Sequence, residues 1–178
     1  DALDRQIDIT NEVFFGYPAM VNDKGIKKPS YYAYYFLSKL GDTLLYKGDG
    51  YILTKSEDEY QLLVYTYNDE IDSLIDFKNF TKLRGVKDLV DKKLSLNLLD
   101  LDSDVRITKY TIGENFGSSF NYWLSMGKPK RLRKAEKDIL FQASYPKIEF
   151  KYAKKNTILN IQTTLQGYCA ELFILKKV

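Results

Sequence analysis

The run Tyr60-Gln61-Leu62-Leu63-Val64-Tyr65-Thr66-Tyr67 is apolar on both faces of an extended chain, so it needs neighbours on both sides and predicts a central strand. The residues around it follow the same alternating period. Segments 44–47, 50–55 and 60–67 read as strands, separated by turns at Lys47-Gly48-Asp49-Gly50 and Glu57-Asp58-Glu59. Strands resume at 94–101 and 104–112, with Leu94, Leu96 and Leu98 on one face and Val105 and Ile107 on another. Three more close the sequence, marked by Ile148/Phe150/Tyr152, by Leu159/Ile161/Thr163/Leu165, and by Ala170/Leu172/Ile174, each set expected to fill a buried face. Fifteen Tyr and ten Phe support a mainly β reading, because aromatic side chains pack well on pleated surfaces. Many short strands between turn signals predict an antiparallel β-sandwich, with its first strand starting near Leu44.

Helical spacing interrupts this pattern in three places. Pro29 suits the first turn of a helix, where its missing N–H costs nothing, and Ala33, Phe36, Leu37 and Leu40 then form one stripe. Gly41 reads as the left-handed cap that ends this helix over 29–40. Phe120, Trp123 and Leu124 share a face over 118–126, which Gly127 stops, and Ala135, Ile139, Leu140 and Ala143 recur at helical spacing over 134–144. Trp123 is expected to be a core anchor rather than a sugar platform. Residues 1–28 read as a long loop with turns at Tyr17-Pro18 and Asn22-Asp23-Lys24-Gly25, and 70–92 fit neither period. A structureless loop of that length is uncommon in a compact domain, and Asp1 is no initiator methionine, so the chain reads as part of something longer.

The sequence contains no histidine, which removes histidine triads, histidine-based zinc sites and the commonest general base together. Its single cysteine, Cys169, forms neither an internal disulfide nor a thiolate metal cage, and fits a reducing compartment. Asp100-Leu101-Asp102-Ser103-Asp104 opens like a calcium loop, but glycine is missing where the sharp turn needs it and Thr111 replaces the bidentate Glu. It reads as a solvated turn, as do Asp69, Glu70 and Asp72. Lys128, Lys130, Arg131, Arg133 and Lys134 form a basic run without the aromatic interleaving of a nucleic-acid footprint. Asn79-Phe80-Thr81 is a glycosylation sequon in form, with no secretory signal behind it. A net charge of +3 is too small to imply a nucleic-acid or membrane partner, and no apolar run approaches the roughly 18 residues of a span. No catalytic, cofactor-binding or metal residue is nominated.

The stretch from Gly25 to Asp42, Gly-Ile-Lys-Lys-Pro-Ser-Tyr-Tyr-Ala-Tyr-Tyr-Phe-Leu-Ser-Lys-Leu-Gly-Asp, resembles the run in family-39 glycoside hydrolases that forms the last helix of a (β/α)8 barrel. Phe120-Asn121-Tyr122-Trp123-Leu124-Ser125-Met126-Gly127-Lys128-Pro129 is similar to that family's "AYxxWxxMGxP" run, and Val105 to Tyr110 to the strand before it. The resemblance implies that 1–42 are a barrel remnant, its last loop and helix, and that 43–178 are an accessory β-sandwich domain. It further implies that the family's two catalytic glutamates lie upstream of Asp1. Phe14 to Val21 lacks the histidine and one glycine of the family's "FHGGFGLL"-like run near the sugar site, which weighs against a working sugar site. AraC-type transcriptional regulators carry a similar region, so the chain is expected to be the non-catalytic ligand-sensing or assembly region of such a regulator. The alternative is a C-terminal fragment of a retaining β-xylosidase acting on xylo-oligosaccharides. The expected partner is the upstream barrel of the same protein, with any carbohydrate ligand held there. No cofactor, no direct nucleic-acid contact and no membrane contact are expected, and the location is expected to be cytoplasmic.

Overall fold

The computed structural model describes residues 13–14, 19–67, 91–98, 103–155 and 158–178. The order of elements is α1 (Pro29–Leu37), β1 (Thr43–Gly48), β2 (Tyr51–Lys55), β3 (Glu59–Tyr65), β4 (Asp91–Leu98), β5 (Val105–Ile112), α2 (Phe120–Ser125), α3 (Lys134–Ala143), β6 (Lys147–Ala153), β7 (Leu159–Gln166) and β8 (Ala170–Lys177). The protein is mainly β, with antiparallel sheets in a sandwich and a few helices. The chain divides into two compact units, Asp1–Ser38 with Thr111–Lys147 and Lys39–Tyr110 with Ile148–Val178.

In the second unit a six-stranded sheet runs β1-β2-β3-β8-β5-β6, and β4 pairs with β7 in a two-stranded sheet. The pairs β1/β2, β2/β3, β3/β8 and β4/β7 are all antiparallel. Leu53, Leu62, Val64, Val105, Ile107, Phe173 and Leu175 from the large sheet meet Ile161 and Leu165 from β7, with Leu94 and Leu96 of β4 packed on them. Burying each such side chain stabilises the fold by about 1.5–3 kcal/mol, which makes this cluster the main source of cohesion. β3 is central as its two-faced pattern requires, with Gln61, Leu62, Leu63 and Val64 all buried. The last three strands lie in both sheets: β6 and β8 in the large one, β7 in the small one.

β8 is also central, between β3 and β5, and it is buried on both faces. The apolar set Ala170/Leu172/Ile174 therefore describes only one of them. β7 follows its predicted alternation, with Ile161, Thr163 and Leu165 buried. β6 does not. Ile148, Phe150 and Tyr152 are exposed, because the opposite face, where Ala153 packs on the sandwich core, is the one turned inward.

A tight turn connects β1 to β2. Gly50 has φ +73, and a Cβ there would lie 2.5 Å from the Tyr65 carbonyl oxygen, so glycine is required for both conformation and space. Gly41 is required for a different reason than capping. Its N–H donates to Thr54 Oγ1 (2.9 Å) and Gln61 Oε1 (3.1 Å), and a Cβ would sit 2.5 Å from the Lys55 backbone. Helix α1 consequently ends three residues short of Leu40, at Leu37, where Ser38 Oγ bonds back to the Tyr35 carbonyl. Its buried face is Tyr32 and Phe36; of the predicted stripe, Ala33 and Leu37 are exposed.

In the first unit Val13, Ile26, Trp123 and Leu140 form a core, with Phe14, Phe120, Leu124, Met126, Leu132 and Phe141 packed around it. Asn22 Oδ1 accepts from the N–H of Lys24 and of Ile26, and Gly25 takes φ +80, which builds the expected turn at 22–25. Helix α3 buries Leu140, whereas Ala135 and Ile139 face solvent; Phe141 takes the place in the core given to them by spacing. Tyr17-Pro18, the 68–90 segment with its acidic cluster and sequon, and Asp100 and Asp102 lie outside the described residues.

Candidate functional site

Two groups of polar and aromatic side chains carry the chemistry on view. The first is inside the sandwich. Alternation along β8 sends Glu171 to the same face as Phe173 and Leu175, so its carboxylate enters an apolar interior where an unpaired charge would be costly. It is compensated there. Lys109 Nζ on β5 lies 2.6 Å from Glu171 Oε1, and Thr163 Oγ1 on β7 donates to Glu171 Oε2. Lys109 also stands 5.3 Å from the Phe173 ring centroid, a cation–π contact. One carboxylate thus joins three strands and both sheets. Sequence reasoning missed it, and the only signal was a charged residue embedded in an otherwise apolar strand.

Cys169 adjoins this cluster. Thr66 Oγ1 donates to the Gly167 carbonyl (2.5 Å), lies 3.2 Å from the Cys169 carbonyl, and accepts the Cys169 N–H (3.0 Å), closing the β7–β8 turn. Burial, reinforced by the charge of Glu171, pushes the Cys169 thiol up to about 11. It is therefore a protonated, weakly reactive thiol at neutral pH, not a nucleophile or a metal ligand. Among the described residues no group of His, Cys, Asp or Glu is arranged to hold a metal ion.

The second group is aromatic and belongs to the first unit. Tyr31, Tyr32 and Tyr35 of α1 stack edge to face, with centroids 5.2 Å (Tyr31–Tyr32) and 6.5 Å (Tyr32–Tyr35) apart. Lys27 Nζ sits 4.3 Å from the Tyr31 centroid, 5.7 Å from that of Tyr32 and 5.8 Å from that of Tyr145. The Tyr32 hydroxyl is buried without a hydrogen-bond partner among the described residues, and burial, then Tyr145, Tyr31 and Tyr35, push it up to about 12. It can donate or accept, but not ionise, at physiological pH.

The residues weighed from sequence fall elsewhere. Trp123 is buried, edge-on to Phe14 at 5.6 Å, and its Nε1–H donates to the Pro129 carbonyl at 3.1 Å. That bond anchors the start of the basic run, whose Lys128, Lys130, Arg131, Arg133 and Lys134 are all exposed. The run turns on Gly127 (φ 82) and Lys128 (φ 57) and enters α3 where the Arg133 N–H donates to Glu136 Oε2 at 2.7 Å. Asp104, the last aspartate of the calcium-like run, accepts the Lys155 N–H (2.8 Å) and pairs with Lys154 Nζ (2.9 Å). The Lys155 N–H, then Lys154, hold its carboxyl below the ordinary value.

Comparison with known proteins places the fold. The chain matches a monomeric β-xylosidase of Caulobacter crescentus CB15 over 95% of its length with a TM-score of 0.79 and 18% identity, covering 34% of that protein. It matches the GH39 enzyme of Xanthomonas axonopodis pv. citri over 94% with a TM-score of 0.77, 17% identity and 34% coverage. Among curated sequences it is 26% identical over 125 residues to a β-xylosidase of Geobacillus stearothermophilus, which covers 70% of this chain and 22% of that one. It is 25% identical over 129 residues to an uncharacterized HTH-type transcriptional regulator of Staphylococcus aureus (strain N315), covering 69% and 16%. No family model matches the chain. The chain has the fold of the C-terminal-like region of the family-39 enzymes and spans about a third or less of each relative. At these identities the likeness carries fold, not activity. No helix among the described residues is long and apolar enough to cross a membrane.

Proposed function

We propose that this chain is a non-catalytic accessory region of a larger family-39-like protein, serving ligand sensing or assembly in an AraC-type transcriptional regulator. The observation that carries the reading is the two-sided character of α1. Tyr32 and Phe36 are buried, yet Tyr34 (60% exposed) and Leu37 (49%) present further apolar surface on other sides of the same helix. A helix that is apolar all round belongs between two packing layers. The layer that would cover the exposed side is the upstream (β/α)8 barrel, which would also hold any carbohydrate ligand.

The regulator parent is supported by the likeness to the Staphylococcus aureus HTH-type protein and by the missing histidine in Phe14 to Val21. In that parent, DNA contacts come from a separate helix-turn-helix module, not from the exposed basic run at 128–134. The likeness to the Geobacillus stearothermophilus β-xylosidase favours the second reading, a fragment of a xylo-oligosaccharide hydrolase.

Full-length parent protein decides between them. The regulator reading expects a sequence-dependent DNA mobility shift by the parent, no such shift by this chain, and no xyloside hydrolysis by either. Hydrolysis by the parent without DNA binding overturns it in favour of the xylosidase reading.

A further inference from the structure

β6 is the outer strand of the six-stranded sheet among the described strands, so one of its two backbone edges is not paired within that sheet. Open edges of this kind template pairing with another chain unless they are blunted by charge, proline or a bulge. The strand contains no proline, and Ile148, Phe150 and Tyr152 form an exposed row on one face at 49%, 66% and 74%. The charged residues Lys147, Glu149 and Lys151 alternate with them on the other face.

We infer that two copies of this chain pair antiparallel along β6, in the register that sets Phe150 opposite the Phe150 of the second copy. Residues directly opposite in an antiparallel pair point to the same face, so the sequence around that two-fold axis fixes what meets what. Ile148 meets Tyr152, Phe150 meets Phe150, and Glu149 meets Lys151 twice. Every opposed pair in the centre of the strand is thus either apolar with apolar or acid with base.

The other registers fail on the same criterion. A slip of one residue opposes Ile148 or Phe150 to lysine or glutamate, and moves each apolar row to the wrong face. Shortening the register by two opposes Glu149 to Glu149 and Lys147 to Lys151; lengthening it by two opposes Lys151 to Lys151. Like charges directly opposite destabilise a pair, so the two lysines that would ordinarily protect an edge here select one register. The product is one continuous sheet through both copies, with the exposed aromatic row completed across the axis. It requires only this chain and is independent of whether the parent is a regulator or an enzyme.

Sedimentation equilibrium over a concentration series tests the pairing. The wild-type chain is expected to show a monomer–dimer equilibrium, and Glu149→Lys or Lys151→Glu to weaken it by about tenfold or more, since each turns two opposed pairs into repulsions. The Glu149→Lys/Lys151→Glu double variant restores opposite charges and is expected to dimerise like the wild type. An equimolar mixture of the two single variants is expected to form heterodimers. Far-UV circular dichroism confirms folding, and if either single variant unfolds, Tyr152→Lys is expected to weaken the dimer in its place. A chain that stays monomeric, its aromatic row being covered by some other module, overturns the inference. A dimer indifferent to the single variants, or a double variant that does not recover, overturns it too.

Discussion

Glu171 on β8 and Lys109 on β5 meet 2.6 Å apart inside the sandwich, and the remaining oxygen of the carboxylate takes a hydroxyl from the opposite sheet. The pair is satisfied, but each member depends on the other.

Replacing Glu171 by Ala leaves an ammonium without its counter-charge and Thr163 without its acceptor. Losing one partner of a buried pair typically costs 3–5 kcal/mol, and since Lys109 keeps some solvent contact (23% exposed), a loss of about 3 kcal/mol is expected. Urea denaturation measures it. A Lys109→Met/Glu171→Leu double variant is expected to recover most of the loss, because apolar groups of similar volume need no pairing.

Trp123→Ala is expected to destabilise the protein by about 3–5 kcal/mol, as large buried aromatics do. Trp123→Phe keeps most of the packing and removes the bond to the Pro129 carbonyl, for about 1 kcal/mol. A Trp123→Ala protein with an unchanged melting temperature and altered sugar binding would show the indole to be a ligand platform instead.

Cys169 predicts an alkaline effect. Its pKa is raised from about 9 to about 11 on folding, so the native state favours the protonated thiol. The associated stability is fully present below pH 9 and is lost as the pH rises towards 11. Iodoacetamide alkylation of the native protein is expected to have its midpoint near the upper value, and urea-unfolded protein near the lower. Cys169→Ala is expected to flatten that part of the stability–pH curve.

Aryl-xylosides are expected to survive incubation with this chain. Retaining hydrolysis requires two carboxyl groups about 5–5.5 Å apart across the sugar. The buried carboxylate described here is already engaged by Lys109 and Thr163. Product release above the buffer rate, abolished by substituting a single Asp or Glu, would refute this.

The contrast between β3 and β6 shows what periodicity can and cannot convey. A run apolar on both faces has one solution, a central strand, and β3 adopts it. A run apolar on one face states that the faces differ, without stating which one is covered. On β6 the answer depends on which face the rest of the sandwich packs against, and only the tertiary fold supplies that. The same limit hid the polar cluster: Lys109, Thr163 and Glu171 come from three strands, and no local pattern relates them. Gly41 was legible as a required glycine, but its cause, contact with the Lys55 backbone, is tertiary. Trp123 could be read correctly because its partners are close in sequence: Phe120 lies one helical turn before it and Leu124 is the next residue.

The position of β8 has a kinetic consequence. Glu59–Tyr65 completes its pairing only with Ala170–Lys176, so the large sheet stays open until residues more than a hundred positions later have been made. At about 5–20 residues per second, synthesis leaves an apolar, two-faced β3 waiting for roughly 5–20 s. Contacts of such long separation also slow refolding of the intact chain. Loss of even the final strand would split β3 from β5 in the middle of the sheet, rather than trim its edge, which makes the β8 residues the ones that gate folding of the entire sandwich.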